Sequence, residues 1–308
     1  MKKLMISAVC AMMAAATFAE PSVEITEAYQ QTPGSGIVNY TYKISDLGGE
    51  YYDLRIKVGA KGAASREIVI EDVSEGTVTT SVNAKELLGK AYPNVTLYAT
   101  LENCVQLWAN GPYFAKCNVG AKKPKDAGYY FWWGGTVGYT HDGEKWVSVD
   151  GQGTTITFSN TYPANTLYNK NLAALADYLD GNGNLKPGYD AATVHLGAPW
   201  RMPTESDWQG LLDNCTIVEK KDATGKTEGF VITGNAEGYK DRSIFLLAAG
   251  HGVSSTLPDY GSAADYWCSN PKDDVFHSQI LWIGISDHSM TYASRCDGDV
   301  IRPVRDAK

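Results

Sequence analysis

The stretch that most constrains this chain is Asp190–Cys215, DAATVHLGAPWRMPTESDWQGLLDNC. Its first part keeps Ala191, Val194 and Leu196 available for one apolar side, and Gly197 stands where a helix C-cap glycine belongs. Ala198-Pro199 cannot continue that helix, because proline lacks the amide donor and drives its predecessor out of the α region. Trp200, Arg201 and Met202 follow as an extended segment. Thr204 is a good N-cap, with Glu205 and Asp207 in the first turn, where negative charge suits the helix dipole. Trp208, Leu211 and Leu212 complete an i, i+3, i+4 stripe that must be buried. The pattern predicts two short helices, near 190–196 and 204–213, and it builds core rather than chemistry.

Ahead of this segment the signals are β. Met1–Ala19 has a basic start at Lys2 and Lys3, an apolar run and a small-residue end at Thr17-Phe18-Ala19, the pattern of a secretory signal peptide. That run is too short to span a bilayer, so a secreted, periplasmic or cell-surface protein without a membrane span is expected. Strands are expected over Val23–Ala28, Ile37–Ile44, Tyr52–Val58, Arg66–Val73, Gly76–Val82 and Asn94–Leu101, with a helical turn at Ala84–Leu88. Val38, Tyr40, Tyr42 and Ile44 alternate with Asn39, Thr41 and Lys43, and Leu54, Ile56 and Val58 with Arg55 and Lys57. Such alternation, punctuated by turns, predicts an immunoglobulin- or fibronectin-III-like sandwich over residues 20–102, with nothing catalytic in it. A spacer is its expected role.

Residues 103–308 carry sparser strand signals and longer loops, and are expected to form one α+β domain. Hairpins are expected over Thr140–Gly153 and between Thr216–Glu219 and Gly229–Thr233. With 27 basic against 35 acidic residues the net charge is −8, which argues against nucleic acid and anionic lipid as partners. Eight Trp and 19 Tyr must line either a core or a recognition surface.

Several short motifs in this second part occur together and in order. They are CNVGA at Cys117–Ala121, GYYFWWG at Gly128–Gly134, YNK at Tyr168–Lys170, DAA at Asp190–Ala192 and WRMPT at Trp200–Thr204. IFLLAAG at Ile244–Gly250, YW at Tyr266–Trp267 and R..G..IRPVR at Arg295–Arg305 follow. The set resembles the Fibrobacter succinogenes major paralogous domain (FISUMP) family. That resemblance implies a C-type-lectin-like fold of the formylglycine-generating-enzyme (FGE) type. It also implies a set of paralogues with a constant frame and a changing C-terminal stretch.

Most motifs with a chemical reading have a plainer one. Gly225-Lys226-Thr227 lacks the glycine a P-loop needs five residues earlier, where Lys220 stands. Asp180-Gly181-Asn182-Gly183-Asn184 could ligate Ca²⁺, but Ala191 stands where an EF-hand wants its bidentate Glu, so a surface turn is expected and no cofactor. His141, His195, His251, His277 and His288 show no zinc spacing, and no G-x-S-x-G elbow is present. Carboxylate spacing alone does not identify a glycosidase. Beyond the leader the cysteines are Cys104, Cys117, Cys215, Cys268 and Cys296, an odd number with no C-x-x-C. The family-like motifs around Cys117 and Cys215 make these two the preferred disulfide, with Cys268–Cys296 as a second pair. The same resemblance raises a copper-dependent oxidase as an alternative, but Cys268 has no second cysteine within a few residues.

The C-terminal stretch is the most informative for function. Leu281, Ile283 and Ile285 are expected inward, leaving Gln279, Trp282 and Gly284 on the outer side. Asp287, His288, Met290 and Tyr292 follow among small residues. The expected function is that of a non-enzymatic binding protein, a β stalk with a lectin-like head. It would meet a glycan or protein ligand through Trp282 and Tyr292, with His288, Met290, Asp287 and Gln279 around them. The remaining alternative is an envelope structural protein without a specific ligand.

Overall fold

The computed structural model describes residues 20–159 and 167–307, so the expected leader lies outside the described residues. The protein is mostly β, in five sheets, and divides into two compact units, one ending at Leu101 and the other beginning at Glu102. No helix among the described residues is long and apolar enough to cross a membrane.

The first unit contains β1 (Ser22–Tyr29), β2 (Ile37–Ser45), β3 (Asp53–Gly59), β4 (Arg66–Ile70), β5 (Gly76–Asn83), the one-turn helix α1 (Ala84–Leu88) and β6 (Thr96–Glu102). They form two three-stranded sheets, β1-β2-β5 and β4-β3-β6. Alternation decides what each sheet buries: Val38, Tyr40, Tyr42 and Ile44 of β2 share one core with Leu54, Ile56 and Val58 of β3. Burying each such side chain contributes about 1.5–3 kcal/mol. The strand expected to reach Val73 ends at Ile70, because Asp72 turns the chain at a φ of 53° and its amide donates to Asp53 Oδ1.

The second unit begins with β7 (Cys104–Gln106), β8 (Tyr113–Ala115), β9 (Tyr130–Phe131), β10 (Tyr139–His141), β11 (Trp146–Ser148) and β12 (Thr155–Ile156). Three helices follow, α2 (Leu172–Leu175), α3 (Ala191–Leu196) and α4 (Glu205–Asn214). Then come β13 (Cys215–Lys221), β14 (Thr227–Gly234), β15 (Ser243–Leu247), β16 (Ala264–Pro271), β17 (His277–Ile283), β18 (His288–Ser294), β19 (Asp299–Val300) and β20 (Val304–Arg305). An eight-stranded sheet, β12-β11-β10-β9-β19-β16-β17-β18, organises the unit, with β13-β14-β15 and β20-β8-β7 as smaller sheets. The two-residue β19 pairs parallel to β16 and antiparallel to β9, so it lies within the large sheet and not at its edge.

Both faces of that sheet are covered. Tyr130, Tyr266, Leu281, Ile283 and Val300 pack in one core with Trp208 and Leu211 of α4. Phe131, Trp267 and Ile280, the alternate residues, pack in another with Ala191 and Ala192 of α3 and Leu175 of α2. The side of the sheet that carries Trp282, expected to be an open recognition surface, is therefore covered at Ile280. Most tryptophans serve this core: Trp132, Trp133, Trp146, Trp208 and Trp267 are buried. Trp132, Trp133 and Trp267 donate their indole N–H groups to the carbonyls of Cys296, Cys268 and Phe131.

The helices over 190–213 form as their caps direct. Asp190 caps α3 by accepting from the Thr193 amide, and Gly197 closes it. Thr204 and Asp207 make a reciprocal capping box at α4, and Arg201 pairs with Asp207 at 2.6 Å. Two fully buried arginines lock the closing motif. Arg302 donates to Asn118 Oδ1 and to the carbonyls of Ala115, Lys116 and Phe245. Arg295 donates to Ser278 Oγ and the carbonyls of His277, Lys170 and Asp274. The planar guanidinium supplies five donors in a fixed fork, which suits such carbonyl cages.

Candidate functional site

The strand pairing places a row of unlike residues on one face of the large sheet. Tyr266 pairs with Val300 across the parallel β16–β19 ladder, so the preceding Asp265 and Asp299 are neighbours on the opposite face. Asp265 also pairs with Trp282 across β16–β17. Asp299, Asp265 and Trp282 thus stand side by side on three adjacent strands. His251 joins them from the segment between the Gly250–Ala264 and Gly252–Gly298 bridges. Glycine is required on both sides of it: a Cβ at Gly250 would meet the Pro258 carbonyl oxygen, and one at Gly252 the rings of Phe158 and Trp146.

These residues line a cleft of about 360 Å³ together with Asp297 and Ile280. Thr291 to Ser294 border it consecutively, so β18 forms its rim and only alternate side chains face in. Asp265 is 5% exposed and Asp299 is 0% exposed. Both oxygens of Asp299, Oδ2 of Asp265 and Nδ1 of His251 are buried with no hydrogen-bond partner. His251 Nδ1 lies 3.7 Å from Asp265 Oδ2 and 3.9 Å from Asp259 Oδ2, close enough for charge pairing and too far for a hydrogen bond.

The electrostatics follow from this geometry. Close pairing with Asp265 pushes His251 up to about 9 against the opposing effect of burial, so its imidazole is cationic at neutral pH. Burial pushes the Asp299 carboxyl well above the ordinary carboxylate range, the charge of Asp265 adds to it, and His251 opposes it. Burial also raises Asp297, although the Ser159 hydroxyl donates to its Oδ1 at 2.6 Å. The cleft therefore holds a cation, a carboxyl group whose ionisation burial disfavours, and further carboxyl groups in one enclosed space.

Only two of the six expected ligand-binding residues border it. Trp282 is half-buried and packs against the core on the Ile280 side, opposite Leu281 and Ile283. Tyr292 belongs to the rim, and its ring meets His277 edge to face at 5.0 Å with the Lys272 ammonium 3.0 Å above it. Gln279 pairs with Tyr292 and shares the face of Leu281, not that of Trp282, because side chains two apart on a strand point the same way. Met290 pairs with Leu281 and packs into the core on that side. His288 is exposed opposite Ile283, and Asp287 turns its carboxylate to the His288 amide. Ile285, expected inward, is 60% exposed in the turn after β17, where the pleat no longer governs it.

The other sequence candidates have local explanations. Asp180 Oδ1 accepts from the amides of Asn182 and Asn184, and Asn184 Oδ1 accepts from Ser269 and Asn270, so these two oxygens are engaged within the protein. Among the described residues no group of three or more His, Cys, Asp or Glu is arranged to hold a metal ion. Gly225-Lys226-Thr227 closes the β13–β14 hairpin, the amides of Gly225 and Lys226 donating to Asp222. No disulfide joins the described cysteines Cys104, Cys117, Cys215, Cys268 and Cys296, so neither Cys117–Cys215 nor Cys268–Cys296 is formed. The thiol of Cys268 is fully enclosed in the core, and that of Cys296 faces the Ser294 hydroxyl at 3.0 Å. A copper site built on two open thiols does not fit these positions.

Sequence reasoning weighed His251 only as a zinc ligand and passed over Asp265 and Asp299. The available signal was a carboxylate inside an apolar run, in AADYWC and in DGDVI, since carboxylates are depleted from strands and rarely fully buried without a partner. Compared with known proteins, the chain matches no family model, no curated protein and no solved structure.

Proposed function

We propose that this is an exported, non-enzymatic binding protein whose second unit recognises a glycan or protein ligand at the Trp282 cleft. In this reading the first unit is an immunoglobulin- or fibronectin-like spacer. The second is a C-type-lectin-like head of the FISUMP kind, which the motif order supports. One observation carries the functional reading: a half-buried tryptophan stands beside enclosed carboxyl oxygens that lack hydrogen-bond donors, in a cleft bordered by an edge strand. Aromatic anchors flanked by unsatisfied polar groups are what recognition surfaces use. The oxidase alternative wants paired, accessible thiols, and Cys268 is fully buried.

The test is a glycan array and a panel of immobilised surface proteins probed with the full chain and with Trp282→Ala. Loss of about 2 kcal/mol, roughly thirtyfold in affinity, is expected for the variant on every true ligand. Ligands bound equally by both proteins would place recognition elsewhere and end this reading.

A further inference from the structure

The three buried carboxyl oxygens of the Trp282 cleft, Asp265 Oδ2 and both oxygens of Asp299, are acceptors without donors. Buried polar groups are almost always paired, and each exception calls for a missing partner. We propose that this partner is the ammonium group of a lysine side chain presented by another protein. The inference rests on the binding-protein reading above and names the chemistry its cleft selects.

Four features select that group. An ammonium carries three N–H donors and no acceptor, which matches a site offering acceptors from two neighbouring carboxyl groups. The carboxyl groups are enclosed, at 5% and 0% exposure, so the charge must arrive at the end of a slender stem. A pyranose carries its hydroxyl or amino groups on a broad ring and does not have that shape. Ile280, Ala293 and the half-buried Trp282 provide apolar wall for the four methylenes, and the indole face attracts a cation. Finally, the charges around the cleft are mostly acidic: Asp259, Asp265, Asp297 and Asp299 face the single cation His251. At the rim, Lys272 is engaged over Tyr292, and His277 with Asp274. With no third metal-ligating group in place among the described residues, a divalent cation is the poorer occupant.

Seating an ammonium beside Asp299 favours its carboxylate form and so opposes the effect of burial. The experiment is calorimetric titration of the full chain with N-acetyl-lysine methylamide. The comparison probes are N-acetyl-norleucine methylamide, which keeps the stem without the charge, glucosamine, and calcium chloride. The lysine probe is expected to bind in the millimolar range, while the other three do not bind. Asp299→Asn, which keeps the shape and removes the charge, is expected to weaken the lysine probe at least about tenfold. Asp265→Asn gives the same readout should the first variant fail to fold. Equal binding of the norleucine probe, unchanged affinity in both folded variants, or no binding of the lysine probe overturns the proposal. If the lysine probe is silent while a glycan binds in a Trp282-dependent way, only this inference falls. If Trp282→Ala also leaves every other ligand bound as before, the wider reading falls with it.

Discussion

The carboxylate of Asp190 holds the backbone of Met202 across a separation of twelve residues: the Met202 amide donates to Oδ2 at 2.8 Å while the Thr193 amide donates to Oδ1 at 2.9 Å. One side chain thus caps α3 and fixes the start of the extended segment that leads into α4. Asp190 is 3% exposed, so these donors have no water to fall back on.

Asp190→Asn is therefore expected to destabilise the second unit by about 1–3 kcal/mol, since the new amide nitrogen would face the Met202 N–H, donor against donor. All eight tryptophans lie beyond Glu102, so indole fluorescence during urea unfolding reports this unit alone. A variant with an unchanged midpoint would show that the Met202 bond contributes nothing.

What the sequence disclosed and what it concealed separate along one physical line. The alternation of Val38–Ile44, the caps Asp190 and Thr204, and the Gly197 stop act within a few residues of themselves, and each produced the expected element. Asp265, Asp299 and His251 meet only because a two-residue parallel strand slots between β9 and β16, a pairing with no local signature. Leu281 and Trp282 were separable by pleat, but the burial of Ile280 was not, because α2 and α3 supply the cover from more than eighty residues away. The cysteines failed for a related reason: a pairing is a statement about distance, and spacing in the chain does not contain it.

The two faces of β17 can be told apart by stability. Leu281→Ala removes a fully buried side chain and is expected to cost about 2–5 kcal/mol. Trp282→Ala should cost about 2 kcal/mol, less than a fully buried indole, because the ring is half open to the cleft. If urea unfolding ranks Trp282 above Leu281, the ring is a core element and its anchoring role is lost.

His251 makes stability depend on alkaline pH. Its folded pKa, about 9, lies above the unfolded value of about 6.5, so the folded state binds the extra proton in between. The stabilisation is complete below about 6.5 and is lost as pH rises through about 9. Asp299, also raised, acts in the same direction: its contribution falls once pH exceeds the unfolded carboxyl value. The unfolding midpoint of the second unit should therefore decline from neutral to alkaline pH. His251→Gln should flatten the decline between about 6.5 and 9, and an equally steep slope in the variant would assign the titration to other groups.

The thiols give the most direct test of the structure. Cys268 is fully buried, and burial pushes its thiol well above the ordinary range. Burial likewise raises Cys215 to about 12, and raises Cys104 and Cys296 despite the opposing Arg305 guanidinium and Ser294 hydroxyl. A protonated, enclosed thiol is a poor nucleophile, because the thiolate is the reactive form and the reagent must reach it. Among the five described cysteines Cys117 alone is partly exposed. With an aromatic disulfide reagent at pH 8, the native chain should show one early reacting thiol, that of Cys117, and the other four should follow only at the rate of unfolding. Denatured without reductant, the chain from Glu20 onward should titrate all five of its cysteines. A shortfall of two thiols would mean a disulfide, and peptide mapping would then show whether Cys117–Cys215 or Cys268–Cys296 is the bonded pair.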